Sequence, residues 1–469
     1  MPTPPSATAR DEPVIRDRGD ACPGALRLHA ADDGYLARVR IPGGLLTARQ
    51  ASVLALAADR FGDGHLELTS RGNVQLRGLA EGCGGGLAEL LDGAGLLPAP
   101  GHERVRNIVA TPLSGILSPE RPHVTPWVGE LDRLLCASTR AAALSGRFLF
   151  AIDDGRGDVA ALDPDVTVLG GPRGRALVRL GAAPDAVEVD APDAPRAALL
   201  AAEYFLDSAD AAGTRAWRVS ELPAVHALEA AELAARLGAA GIAADLVPEV
   251  AWPYAPPPKP WGAGTGDRTP LCVLPPLGRL TADQWRLLVR VAGGGEGAED
   301  ADGGTGADGG TGTGTGADGG DGELRITPWR SIVLPRASTR RPVDGYAQLV
   351  AAGLSVAPDG PWESVTACTG RPGCAKALSD VRADARAVVD ADGAGVADGE
   401  APAGPGGAPV HWSGCERRCG HPRGAAWVDL VATPGGYRLD GRPVPSHELA
   451  QAVADARSQP RVSEDAVKK

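Results

Sequence analysis

The chain runs to 469 residues with a formal net charge of −12, 43% hydrophobic residues and 4% aromatics. That is more length than one ordinary core uses, so two or three packed modules are expected, built mainly on Leu, Val and Ala. The acidic balance argues against an extended nucleic-acid surface, though a local arginine cluster could still take an anionic small ligand. No apolar run reaches the roughly 18 residues of a membrane span.

Residues 1–20 (MPTPPSATARDEPVIRDRGD) are polar and Pro-rich. They lack the apolar stretch of a signal peptide and read as a disordered tail on a cytoplasmic protein. In that compartment the eight cysteines argue for metal binding or catalysis rather than disulfides. Residues 21–95 form a first repeat: Leu46-Thr47-Ala48-Arg49-Gln50 opens a helical pattern, and a strand-like run, LELTSRGNVQL, covers Leu66 to Leu76. Residues 96–255 alternate apolar runs with Ala-rich helical patterns, as a first α/β module would. A Pro- and Gly-rich connection, Ala255 to Thr269, leads into a second repeat over 265–340. There Leu280-Thr281-Ala282-Asp283-Gln284 opens a helix and LRITPWRSIVL (Leu324 to Leu334) mirrors the first strand-like run. The shared order of helix start, helix and Thr-bearing strand points to duplication. Residues 293–322 interrupt this second copy with a Gly/Asp/Thr sequence too poor in apolar residues to offset its ordering entropy, and are expected to be a disordered loop. Residues 341–469 read as a second α/β module, with an exposed Gly/Pro/Ala loop over Ala391 to Pro409.

That last module holds the strongest chemical signal. Cys368-x5-Cys374 lies in TACTGRPGCAKA and Cys415-x3-Cys419 in HWSGCERRCGHP. Two tight pairs in Gly-rich loops suit a 4Fe-4S cluster, which needs four thiolates converging from different directions and backbone amides free to face the sulfurs. Structural zinc favours roughly two to four residues between paired cysteines, so the x5 spacing fits it poorly. Cys22, Cys83, Cys136 and Cys272 are isolated and read as small apolar residues.

This cysteine pattern resembles the cluster motif of the nitrite/sulfite reductase family. The first half carries the resemblance independently in ARVRIPGGLLTARQ (Ala37 to Gln50), LELTSRGNVQLRG (Leu66 to Gly78) and RNIVATP (Arg106 to Pro112). It implies an α+β fold: duplicated ferredoxin-like half-domains forming one domain, plus two α/β domains, with a tetrapyrrole and the cluster between them. It also implies that Cys419 occupies the position that bridges the cluster to sirohaem, where sirohaem is bound. Thr69, Arg71 and Gln75 match positions that hold the tetrapyrrole, whose many carboxylates suit arginine. Arg38 and Arg106 match two of four basic residues that bind the oxyanion, Arg147 takes the place of a third, and Leu149 stands where the family has Lys. For Arg77, Arg104 and Arg330 a solvated surface charge is an equal reading.

Losing one cation removes stabilisation for a charged oxyanion. The departure at Leu149, the TPWRS sequence of the second repeat and the short length look like the aerobic cobalamin-pathway branch of the family. There the tetrapyrrole is the substrate, precorrin-3A, and the reaction is a hydroxylation with lactone formation that uses molecular oxygen and electrons from NADH or a partner reductase. That branch implies a mononuclear non-haem iron as well, whose ligands the sequence does not reveal, and no catalytic residue stands out. The GCGGGLA stretch near Gly82 lacks a third glycine and a preceding strand, so it is no dinucleotide fingerprint. Two alternatives stay open: a sirohaem-dependent assimilatory sulfite or nitrite reductase, and a cluster-binding redox sensor.

Overall fold

The computed structural model describes residues 20, 22–259, 261–262, 268–293, 322–338, 342–394, 407–422 and 426–459. Nearly all of the expected tail and Gly/Asp loop, and most of the Ala391–Pro409 loop, lie outside them.

In chain order the first half-domain comprises β1 (His29–Ala31), β2 (Gly34–Val39), β3 (Leu45–Thr47), α1 (Ala48–Phe61), β4 (His65–Leu68), β5 (Val74–Leu79) and α2 (Gly84–Gly93). The middle module follows with β6 (Ile108–Ala110), α3 (Thr125–Ala137), β7 (Phe150–Asp153), β8 (Val166–Gly170), β9 (Arg175–Leu180), β10 (Ala186–Asp190), α4 (Ala194–Ala211), α5 (Ala230–Ala239) and β11 (Ala244–Val247). The second half-domain holds β12 (Trp261–Gly262), β13 (Arg268–Val273), β14 (Arg279–Thr281), α6 (Ala282–Val291), β15 (Glu323–Ile326) and β16 (Ile332–Ser338). The last module comprises α7 (Pro342–Ala351), β17 (Val365–Ala367), α8 (Val381–Ala394), β18 (Val410–Ser413), β19 (Val428–Thr433), β20 (Gly436–Leu439), β21 (Arg442–Val444) and α9 (Leu449–Ser458).

The repeat is visible atom by atom. Thr47 and Thr281 each close a capping box with the glutamine three residues on, Gln50 or Gln284. Each box satisfies two otherwise orphaned amides at a helix start. The two strand-like runs are hairpins rather than single strands. Thr69 Oγ1 accepts the Arg71 and Asn73 amides at 3.4 and 3.1 Å, and Thr327 Oγ1 accepts those of Trp329 and Ser331 at 3.2 and 3.2 Å. Those bonds turn the chain between β4 and β5 and between β15 and β16. A left-handed residue completes each turn, Gly72 in one and Arg330 in the other. A strand does precede the Gly82 stretch, contrary to expectation. It is β5, in an antiparallel sheet rather than a parallel dinucleotide unit.

The two half-domains exchange strands. One sheet runs β1-β2-β5-β4-β14 and the other β12-β13-β16-β15-β3, so each takes its last strand from the opposite half. Gly44, at φ +71°, sits against the Ile326 carbonyl, where a Cβ would have no room. The helices α1 and α6 pack between the sheets. Trp285 is fully buried there, and its indole N–H donates to the Ala51 carbonyl at 2.8 Å.

The middle sheet runs β11-β10-β9-β8-β7-β6, parallel from β6 to β8 and antiparallel beyond. Alternation sends Phe150, Ile152, Val166, Val168 and Val178 to the core under α3 and α4. Leu149 and Ala151 go to the opposite face, where they pack with Val109, Val159 and Trp329 of the second half-domain. The last sheet runs β17-β18-β19-β20-β21, with its first three strands parallel. Fully buried Trp412 lies in its core with Val381, Leu430 and Val453.

Candidate active site

Both cysteine pairs hang from the carboxyl ends of neighbouring parallel strands. Cys368 follows β17 directly, and Cys415 comes two residues after β18. The Cys368 amide donates to the Trp412 carbonyl at 2.9 Å and Leu378 N–H to Gly414 O at 2.8 Å, so the two loops are laced together. The Gly414 N–H points at Cys368 Sγ, 3.1 Å away. Burial pushes the Cys368 thiol up and the Gly414 and Gly370 amides pull it down, while Cys419 and Cys415 are near enough to oppose its ionisation. Amides aimed at sulfur and mutually interacting thiols fit the donor set of an iron–sulfur cluster. Among the described residues no three His, Cys, Asp or Glu side chains already stand as ligands around one point. His411 binds Thr366 Oγ1 through Nδ1 at 2.8 Å and the Cys419 carbonyl through Nε2 at 3.1 Å. Burial and then the Arg330 charge push its pKa down to about 3. Arg330 reaches this loop from the second half-domain and would lie 3.5 Å from a Cβ at Gly420.

The arginines divide sharply. Arg38 donates to Gln75 Oε1 at 2.9 Å, and Gln75 in turn donates to Glu67 at 3.0 Å. Arg71 donates to the Gly146 carbonyl at 3.2 Å. Arg40, two residues beyond Arg38 and 3% exposed, reaches the same carbonyl at 3.3 Å. Burial and then Arg38 push Arg40 down to about 9; burial and then Arg218 push Arg71 down to about 10. Beside them Asp165 accepts the Leu149 amide at 2.8 Å and pairs with Arg218 at 2.6 Å, yet burial still raises its carboxyl to about 6. The Nε atoms of Arg38 and Arg40 are buried with no partner among the described residues. Orphaned donors on crowded guanidiniums are costly unless an anion completes them, so this group fits the carboxylates of a tetrapyrrole.

Two of the expected residues make other contacts. Arg106 grips Asp132 of α3 through two bonds of 2.7 Å and donates to Leu96 O at 3.1 Å, so all three of its guanidinium nitrogens already have internal partners. Arg147 is exposed and lies over the Trp217 ring, 4.7 Å from its centroid. The Thr69 hydroxyl is engaged by its own turn. Arg40 was within reach of sequence reasoning, because strand alternation puts it on the face of Arg38; Arg218 and Asp165 had no local signal. Cys22 packs its Cβ close to Gly146, 3.0 Å from where a Cβ on that glycine would stand, with the Arg40 guanidinium 3.3 Å from the same point. Arg77 is buried, not a surface charge.

Comparison with known proteins agrees with this architecture. Residues 29–83 match the nitrite/sulfite reductase ferredoxin-like half domain. The chain is 35% identical over 142 residues to a precorrin-3B synthase of Sinorhizobium sp, a stretch covering 30% of each chain. It is 39% identical over 84 residues to a ferredoxin–nitrite reductase of Leptolyngbya laminosa, 18% of this chain and 16% of that one. These matches therefore span less than a third of either relative. The solved structure of Mycobacterium tuberculosis NirA protein superposes with a TM-score of 0.65 at 18% identity, covering 89% of this chain and 79% of that one. Residues 29–83 thus carry a nitrite/sulfite reductase ferredoxin-like half domain, and the chain as a whole shares the fold of NirA.

Proposed function

We propose that the chain is a precorrin-3B synthase, hydroxylating precorrin-3A and closing a lactone with one of its acetate arms. One oxygen atom of O2 enters the product and the other leaves as water, with two electrons drawn from NADH or a partner reductase. Cys368, Cys374, Cys415 and Cys419 would hold the 4Fe-4S cluster, which supplies one-electron transfer when bound. Arg38, Arg40 and Arg71 bind and orient the macrocycle's carboxylates, Gln75 and Glu67 fix the aim of Arg38, and Asp165 with Arg218 balances the remaining charge.

The observation that carries the reading is Leu149. It is 4% exposed and packs with Val109, Ala151, Val159 and Trp329. An apolar wall excludes water and suits uncharged oxygen beside a macrocycle edge, whereas a charged oxyanion there would lose a counter-charge. A sirohaem-dependent nitrite or sulfite reductase is the second reading, favoured by the identity to ferredoxin–nitrite reductases. Absorption, metal analysis and mass spectrometry of anaerobically purified protein separate the two. The synthase reading expects iron and sulfide without sirohaem, and precorrin-3A conversion only when oxygen and reductant are both supplied. Stoichiometric sirohaem with nitrite or sulfite reduction at roughly one turnover per second or faster would overturn it. Cys419→Ser should lose the iron and sulfide, while serine at Cys83 or Cys136 should leave them unchanged.

A further inference from the structure

Cys374 is held from outside its own module. The turn between β1 and β2 carries Asp32 and Asp33, and β5 carries Arg77. Arg77 makes two bonds of 2.8 Å to the Asp33 carboxylate, and the same guanidinium donates to the Gly373 carbonyl at 2.8 Å. On the other side of the cysteine, the Ala375 N–H donates to the Asp32 carboxylate. Both peptide groups that bracket Cys374 are therefore bonded to the first half-domain. Two fixed peptide planes leave the intervening residue little backbone freedom, and its Cα–Cβ bond, hence its sulfur, has a set direction. The contact is close: a Cβ on Gly373 would stand 2.6 Å from Asp33 Oδ2 and 2.9 Å from the Arg77 guanidinium. The Cys368 loop, by contrast, is laced to β18 and the Gly414 loop of its own module.

We propose that Arg77, Asp33 and Asp32 are positioning residues for the Cys374 thiolate, so that one corner of the cluster is set by the half-domain that also carries Arg38. The inference rests on the cluster reading above. Arg77 and Gln75 sit two residues apart on β5 and so share a face, with Gln75 holding Arg38 and Arg77 holding the cysteine loop. Removing the Arg77 clamp frees the Gly373 carbonyl and leaves Asp33 without its partner. Cys374 then samples orientations the other three corners do not follow.

The test uses the full-length protein with Arg77→Gln, Arg77→Lys and Asp32→Ala. Asp32 is exposed, so the last variant removes an acceptor without opening a core. Three quantities are measured: iron and sulfide content, the midpoint potential of the cluster, and the rate of iron loss to a chelator. Arg77→Gln and Asp32→Ala are expected to assemble the cluster, shift its potential and lose iron roughly tenfold faster or more, as loss of a charge-assisted hydrogen bond implies. Arg77→Lys, which keeps the charge but not the forked geometry, should fall between them and the parent. A parent protein without iron and sulfide sinks the cluster reading itself. A parent with a full cluster, alongside an Asp32→Ala protein of unchanged potential and unchanged iron loss, overturns the clamp alone.

Discussion

Asp158 shows what a single buried carboxyl does to the middle module. It accepts the Thr111 hydroxyl at 2.8 Å and the Val159 amide at 2.7 Å, yet burial, with the Asp153 charge adding to it, raises its pKa from 3.8 to about 7. A raised folded-state value means the folded chain holds this proton more tightly than the unfolded one. Its contribution to stability is complete below about pH 4 and is lost as pH climbs through about 7, with no further change above. Asp158→Asn keeps the acceptor oxygen and removes the ionisation. The variant should therefore be more stable than the parent at about pH 8, and the gap should narrow on acidification toward pH 4. Urea unfolding of both proteins across that range measures it, and a less stable variant at the alkaline end would refute the assignment. At this scale sequence reading was uneven. Arg38 and Arg71, each marked by a short motif, lie close together in the structure, whereas Arg106 carried the same kind of motif and is committed to Asp132. Which partner an arginine finds depends on a helix 26 residues away, which no local pattern encodes.

The paired helices α1 and α6 were the most legible elements, since Thr-x-x-Gln is a local device whose chemistry needs only backbone amides. The turns after β4 and β15 were less so, because a Thr in a run of apolar residues suits a strand until its hydroxyl is seen capturing two amides. Trp285 could not be placed at all without the fold, as its partner Ala51 belongs to the other repeat. Trp285→Phe should cost roughly 1–3 kcal/mol, through the lost indole hydrogen bond to Ala51 and the smaller ring. Trp285→Ala should cost about 3–5 kcal/mol through the cavity as well. Chemical denaturation with matched m-values checks both; an unchanged stability in Trp285→Phe would mean the hydrogen bond contributes nothing, and equal losses in the two variants that the extra cavity contributes nothing.

For the whole molecule, the strand exchange makes the half-domains inseparable. A chain ending at residue 255 keeps β4 but loses β14, and keeps β3 but loses its partner β15. Such a fragment exposes an unpaired sheet edge and the faces that α6 and β15 cover. It should aggregate or remain unfolded by circular dichroism and size exclusion, and supplying residues 256–469 in trans should recover soluble material. A monomeric, cooperatively folded fragment would contradict the exchange. Duplication and fold class were readable from the sequence because they rest on repeated local patterns. The exchange was not, because β3 and β14 carry the same Leu-Thr signature whichever half they join.

That exchange also orders events on the ribosome. The middle module is contiguous and carries its own core, so it can pack as soon as its last strand emerges, in line with the tendency of domains to fold from the N-terminal side during synthesis. The segments before it cannot. Leu45–Thr47 must wait for Glu323–Ile326, and His65–Leu68 for Arg279–Thr281, while an already folded unit sits between them. The first half-domain is thus translated early and completed late. Its Asp32 and Asp33 sit in the turn between β1 and β2 and its Arg77 on β5, strands that pair among themselves, so the cysteine loop meets them on a half-domain whose exchange with Arg279–Thr281 and Glu323–Ile326 precedes it along the chain.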